Sequence, residues 1–546
     1  MVRTPLLLLL LAAPLLAQDL KSWQKTQRTI DRQEARFWKE FKSRFQEAYR
    51  EFRQPVEDAR DRPDADPESL FDYAPILSLY EDAARFAEQR GTADRALALT
   101  DGKARAALLK ALIDNGKQMR KIEEEIEEPK PDFSRYVFQQ SHGCRLHALA
   151  QRRAALVEAL ATAPLDFLTG DAWKKATKAD GKKMHRNRVA IVDAVARGKS
   201  PEAAAALTAW AGEAIVAVRV AAAEALAARS DDDTSGLLGD ESPIVRRATL
   251  LTLSRLPVKE MRGGWFAPVL ACAERARGFE RQLAVAVLGR LTRQPFGHDL
   301  TAWKQWGEEY GEELKSGKFD PATVEVAEVK PKAADGAFAF YELPIEAAGA
   351  IFVIDESQHI AMPADVDVQK TQWRDEWRGT RAQWEKEHVA HQTVLRAQFE
   401  GAFDAFPADF RWGMVALHGP FTAKTIGEKK LLKTGTRDRK AGLKLIDGAP
   451  QRGWCSAFQG LRTALAMAGE PVDTIVLWHT GDPSGGRFMG PEPAVAAWRR
   501  INRFRRVQVV AIRISNRKDP AEAFMKGVAE ESGGRYLWAQ KPPSGG

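Results

Sequence analysis

The stretch Gly349-Ala350-Ile351-Phe352-Val353-Ile354-Asp355-Glu356-Ser357-Gln358-His359 constrains the fold of this chain more than any other. Six small or apolar residues run unbroken into a carboxylate, and a hydroxyl follows two residues later. A continuous apolar run predicts a strand buried on both faces, as in a parallel sheet, rather than a strand with one wet face. The polar residues then stand just past its carboxyl end, where open α/β sheets place their ligands. Further apolar runs at 412–417, 474–478 and 507–512 alternate with helical stretches at 457–467 and 521–530. That alternation predicts a doubly wound α/β domain. No Gly-x-Gly-x-x-Gly turn follows the first strand, which excludes the dinucleotide-binding form of such a sheet.

A chain of 546 residues is long for one core, and at roughly 150 residues per domain it predicts three or four units. Residues 1–17 read as a signal peptide: Arg3, a leucine-rich core from Leu6 to Leu16, and Ala17 before Gln18-Asp19. That core is shorter than the ~20 residues needed to span a bilayer. No later run matches it, so after signal removal the expectation is an exported protein, periplasmic or secreted, without a transmembrane segment.

Residues 18–140 read as a helical N-terminal region. Trp23, Ile30, Phe37, Phe41, Phe45 and Tyr49 recur at spacings of three, four or seven among charged residues, an aromatic stripe for packing on a partner helix. Residues 141–315 read as helical repeats. Val218-Arg219-Val220-Ala221 returns as Val245-Arg246-Arg247-Ala248, a step of 27 residues, and more loosely as Glu280-Arg281-Gln282-Leu283. Such periods mark solenoids. A polar, Pro- and Lys-containing stretch at 316–340 reads as a linker, 341–540 as the α/β domain, and 541–546 as a disordered tail.

Two resemblances follow from these residues. The Ala217–Leu226 and Ser242–Ala248 segments resemble the second half of a HEAT repeat. The domain at 341–540 resembles a von Willebrand factor A (vWA) domain, through Phe352–Ser357, Ile475–Gly486 and Phe524–Tyr536. The resemblances imply an all-α region and α-solenoid followed by a Rossmann-like α/β sheet. In vWA domains the carboxyl edge of the sheet can hold a divalent cation through Asp-x-Ser-x-Ser, a later threonine, and an aspartate after the fourth strand. Asp355 and Ser357 match this pattern. His359 replaces the second serine, Cys455 stands in place of the threonine, and Thr480 stands in place of the aspartate, with Asp482 two residues on.

Three site readings follow: a degenerate, metal-free site; a Mg²⁺ or Ca²⁺ site retuned around Asp355, Ser357 and Asp482; and a Zn²⁺ site built from Asp355, His359, Cys455 and His479, since imidazole and thiolate suit that ion. No resident cofactor is expected under the first.

Catalytic sets are otherwise thin. Glu385, His388 and His391 do not form His-Glu-x-x-His, and neither Ser484 nor Ser532 stands in Gly-x-Ser-x-Gly. Three scattered cysteines, Cys144, Cys272 and Cys455, exclude a disulfide-stapled scaffold and a cysteine-rich zinc site. A net charge of +8 from 82 basic and 74 acidic residues is small for the length, and no nucleic-acid-reading motif accompanies it. The expectation is therefore a non-enzymatic protein-interaction or scaffold protein with protein partners. The alternatives are a divalent-metal-dependent adhesion receptor or a binder of anionic envelope polymers.

Overall fold

The computed structural model describes residues 19–58, 74–127, 133–181, 185–229, 235–356, 390–419, 423–448, 455–480, 490–514 and 521–539. The stretches expected to form a signal peptide, 1–17, and a tail, 541–546, lie outside the described residues. By contact density the chain divides into two compact units, one of residues 1–49 and 75–222, the other of residues 50–74 and 223–546.

The described part of the first unit is helical. Leu20–Asp58 is one long helix, followed by Ala74–Ala96, Gly102–Glu127, Phe133–Leu160, Arg186–Val195 and Pro201–Ala211. The aromatic stripe is buried as its spacing predicts: Trp23, Ile30, Phe37, Phe41 and Phe45 are at most 7% exposed, and Tyr49 is half-buried. One buried carboxylate latches it. Asp94 accepts from the Trp23 indole at 3.0 Å and from Gln27 Nε2 at 2.8 Å, with the Arg152 guanidinium 3.8 Å away. Burial pushes the Asp94 carboxyl above its ordinary pKa, against the pull of Arg152. Pairing is what makes such a buried charge tolerable.

The second unit joins helices to a sheet. Pro243–Leu253, Phe266–Arg275, Gly278–Thr292 and Leu300–Glu309 enclose a core that includes Val269, Leu288, Trp303 and Trp306. The 27-residue step has a structural counterpart. Arg219 Nη1 donates to the carbonyls of Glu213 and Ala214 at 3.0 and 3.4 Å, and Arg246 Nη1 donates to those of Asp240 and Glu241 at 2.6 and 3.1 Å. Each arginine ties down the turn that precedes its own helix. Residues 317–337 contain no helix or regular strand, but they are fastened. Gln294 exchanges side-chain bonds with Glu325 O and Ala327 N at 2.9 and 3.0 Å. The last three residues of the expected linker, Phe338–Phe340, form strand β1, paired antiparallel with β2 at Leu343–Ile345.

Six strands make the main sheet: β3 Gly349–Asp355, β4 Arg411–Leu417, β5 Ala423–Ile426, β6 Thr474–His479, β7 Gln508–Arg513 and β8 Arg535–Trp538. Their order is β5-β4-β3-β6-β7-β8, parallel except for the antiparallel edge strand β5. The mixed sheet with its helices is an α/β domain following an all-α region. Every residue of β3 is buried, as a central parallel strand requires. Its alternation divides two faces. Ala350, Phe352 and Ile354 join Phe399, Phe403 and Trp412 in one core, while Val353 meets Gly460 of the Ala457–Met467 helix, where a Cβ would stand 2.5 Å from Val353 Cγ1.

A buried joint holds these helices to the sheet. Asp473, one residue before β6, accepts from Phe279 N at 2.8 Å, Ala348 N at 3.1 Å and Thr474 Oγ1 at 2.9 Å. Gly278 makes the approach possible. Its φ is +55°, and a Cβ there would lie 2.1 Å from Ala348 N. No other residue accepts both that backbone conformation and that contact.

Candidate functional site

Because β3, β4, β6 and β7 run in parallel, the residues ending them share one edge of the sheet. Asp355 closes β3 at 1% exposure and pairs in register with Leu417, the last residue of β4. Thr480, one residue beyond β6, donates its hydroxyl to Asp355 Oδ2 at 3.1 Å, and its backbone N–H reaches the same oxygen at 3.5 Å. His479, fully buried, places Nε2 3.7 Å from that oxygen and Nδ1 3.4 Å from Thr480 Oγ1. Arg513, the buried end of β7, donates to Thr480 O at 3.3 Å and lies over the Trp538 ring. Thus the three positions Asp355, His479 and Thr480 are brought together.

Cys455 is also buried at this edge. Its Sγ donates to Leu417 O at 3.1 Å, and the adjacent Ser456 caps the Ala457–Met467 helix by accepting from Gln459 N at 3.3 Å. The cap explains the local chain path, since serine oxygens satisfy the first free N–H groups of a helix. All three cysteines of the chain are free and buried. Ser357, His359 and Asp482 lie outside the described residues, as do Glu385, His388 and Ser484. His391 is buried against Trp478, ring centroids 6.4 Å apart. Ser532 is structural: it accepts from Val509 N at 2.8 Å and donates to Val528 O at 2.8 Å.

A second acid–imidazole pair sits on the same edge, and sequence reasoning passed it over. Glu356 N donates to Leu417 O at 3.1 Å, which carries the ladder one residue further and turns the Glu356 side chain to the face opposite Asp355. There Glu356 Oε2 lies 3.0 Å from His418 Nε2, in an approach too far off line to be a hydrogen bond. Burial raises the Glu356 carboxyl to about 7, with Asp355 adding to the rise and Lys424 opposing it. Burial also lowers the His418 imidazole, and Lys424 lowers it further. Both shifts favour a neutral acid beside a neutral imidazole. The signal lay in topology: Glu356 and His418 each follow the last residue of a neighbouring parallel strand.

Of the oxygens a hard cation would need, the described residues unite only those of Asp355 and Thr480. Among those residues no group of three or more His, Cys, Asp or Glu side chains is arranged to hold a metal ion, and no helix is long and apolar enough to cross a membrane. No protein-family model matches the chain, and no curated protein matches it significantly.

Proposed function

We propose that the chain is an exported, non-enzymatic protein-interaction or scaffold protein, with HEAT-like repeats and a vWA-like domain as its binding modules. One observation carries the metal-independent form of this reading. Thr480, at the position where the vWA resemblance expects an aspartate ligand, fills a lone pair of Asp355 with its own hydroxyl at 3.1 Å. A hydroxyl donor satisfies a buried carboxylate as a cation would, with no ion needed. Arg513 in turn donates to the Thr480 carbonyl at 3.3 Å. The convergence of Asp355, Cys455 and Thr480 on one sheet edge also supports the vWA-like assignment, since the resemblance puts those three loops together.

The test is a pull-down from the envelope fraction with the full chain as bait, with and without chelator. Equal retention of a partner in both arms is the expected result. Retention lost with chelator makes the chain a metal-dependent receptor acting through Asp355, Ser357 and Asp482, and no retained protein in either arm removes the scaffold role.

A further inference from the structure

The Pro491–Asn502 helix and the turn after it carry Arg499, Arg500, Arg503, Arg505 and Arg506 within eight residues. In the second unit this run meets the helical repeats across a groove of about 570 Å³, a volume within the ~300–1,000 Å³ typical of ligand sites. Four guanidinium groups ring the groove: Arg255, Arg499, Arg503 and Arg506. Two carboxylates answer them. Glu224 Oε2 meets both Nε and Nη2 of Arg503, at 2.8 and 2.7 Å, and its Oε1 meets Arg506. Glu531 takes a fork from Arg499, with Nε at 2.7 Å. Arg255 donates to the carbonyls of Glu530 and Glu531, both at 2.9 Å.

Among the described lining residues, four guanidinium groups thus face two carboxylates, and two donors stand without an acceptor. The Trp498 indole N–H and Arg506 Nε, both buried in the groove's lining, have no hydrogen-bond acceptor among the described residues. Burial pulls the Arg506 pKa down to about 10, the mark of a cation taken from water without full repayment by neighbours. Leu251 and Leu256, buried at 4% and 9% exposure, add apolar wall beside the charges.

We propose that this groove docks an acidic segment of a protein partner, one carboxylate replacing Glu531 on the Arg499 fork and an adjacent apolar side chain resting on Leu251 and Leu256. The inference rests on the protein-interaction reading and names the chemistry of the partner. Arginine forks match carboxylates in two parallel bonds, and the groove already holds Glu531 in that way. A phosphate- or sulfate-rich polymer would gain nothing from the leucine wall.

Fluorescence anisotropy with the full chain and a labelled Glu-Leu-Glu-Glu-Leu-Glu peptide tests this. Arg499→Gln should weaken binding about fivefold and Glu531→Gln should tighten it about threefold, changes in the range of one partly exposed charge pair. The two variants break the same internal ion pair, so simple loss of structure would move binding one way in both; thermal melts establish that both are folded. Heparin should fail to compete at equal charge. The proposal is overturned by changes of the same sign, by equal binding of a Gln-Leu-Gln-Gln-Leu-Gln peptide, by no binding at ~1 mM peptide, or by heparin displacing it, which would assign the groove to anionic polymers. A chain that fails here yet still retains an envelope partner loses this groove and keeps the scaffold role.

Discussion

Glu356 stands one peptide beyond Asp355 at 1% exposure, so its ionised form would bury a second negative charge at the edge of the sheet. A carboxyl whose folded pKa lies above its unfolded value favours folding fully below the unfolded value. That contribution is lost as pH rises through the folded one. For Glu356 the window runs from 4.5 to about 7, and at one unit per ~1.4 kcal/mol the loss is on the order of 3 kcal/mol. Asp473, raised from 3.8 to about 6 by burial, acts in the same direction over a lower window. Glu356→Gln should therefore raise the melting temperature at pH 8 and flatten its fall between pH 5 and 8. A melt series in which the variant keeps the full slope would locate the effect elsewhere. At the neighbouring oxygen, Thr480→Val leaves Asp355 without its hydroxyl donor and should cost about 1–3 kcal/mol in urea unfolding, whereas Thr480→Ser should cost far less.

At the scale of elements, β3 was legible from its residues because burial on both faces leaves no alternation to misread. The stripe from Trp23 to Phe45 was legible for the complementary reason, a helical period held over six turns. Single positions at the site were legible only where the vWA resemblance pointed, as with Asp355 and Thr480. Glu356 and His418 were not, since their meeting depends on the register that sets Asp355 opposite Leu417, and nothing local encodes register. The arginine run at 499–506 is plain in the sequence. Its groove is not, because Arg255 and Arg499 are far apart in the chain and meet only through tertiary packing. The Asp473 joint is equally non-local, and it supplies a sharp test. Gly278→Ala combines a left-handed backbone conformation with a Cβ 2.1 Å from Ala348 N. It should destabilise by well over the ~1 kcal/mol that an alanine at positive φ costs alone, read as a drop in denaturation midpoint.

At the scale of the molecule, the second unit is one cooperative body by its bonding. Asp473 ties Phe279 of the Gly278–Thr292 helix to Ala348 before β3. Arg255 reaches the end of the Ala521–Ser532 helix, and a Cβ on Gly533 would stand 2.8 Å from Leu251 Cδ1. Hydrogen exchange should then show the amides of Gly278–Thr292 and of Gly349–Asp355 opening together, and Asp473→Ala should lower protection in both segments at once. Loss confined to one segment would mean that helices and sheet open as separate foldons.

The matched arginines at 219 and 246 bear on how such a chain can change in length. Each secures the turn six and five residues before it, so each of these two turns is fastened from its own helix, and Arg246 also takes Glu280 of the Gly278–Thr292 helix. A 27-residue block carrying that arginine can therefore be duplicated or deleted as a unit without leaving an unfastened turn behind. Insertion of a second copy of residues 213–239 should then yield a folded, longer array, whereas a block cut between 214 and 219 would separate Arg219 from its carbonyls.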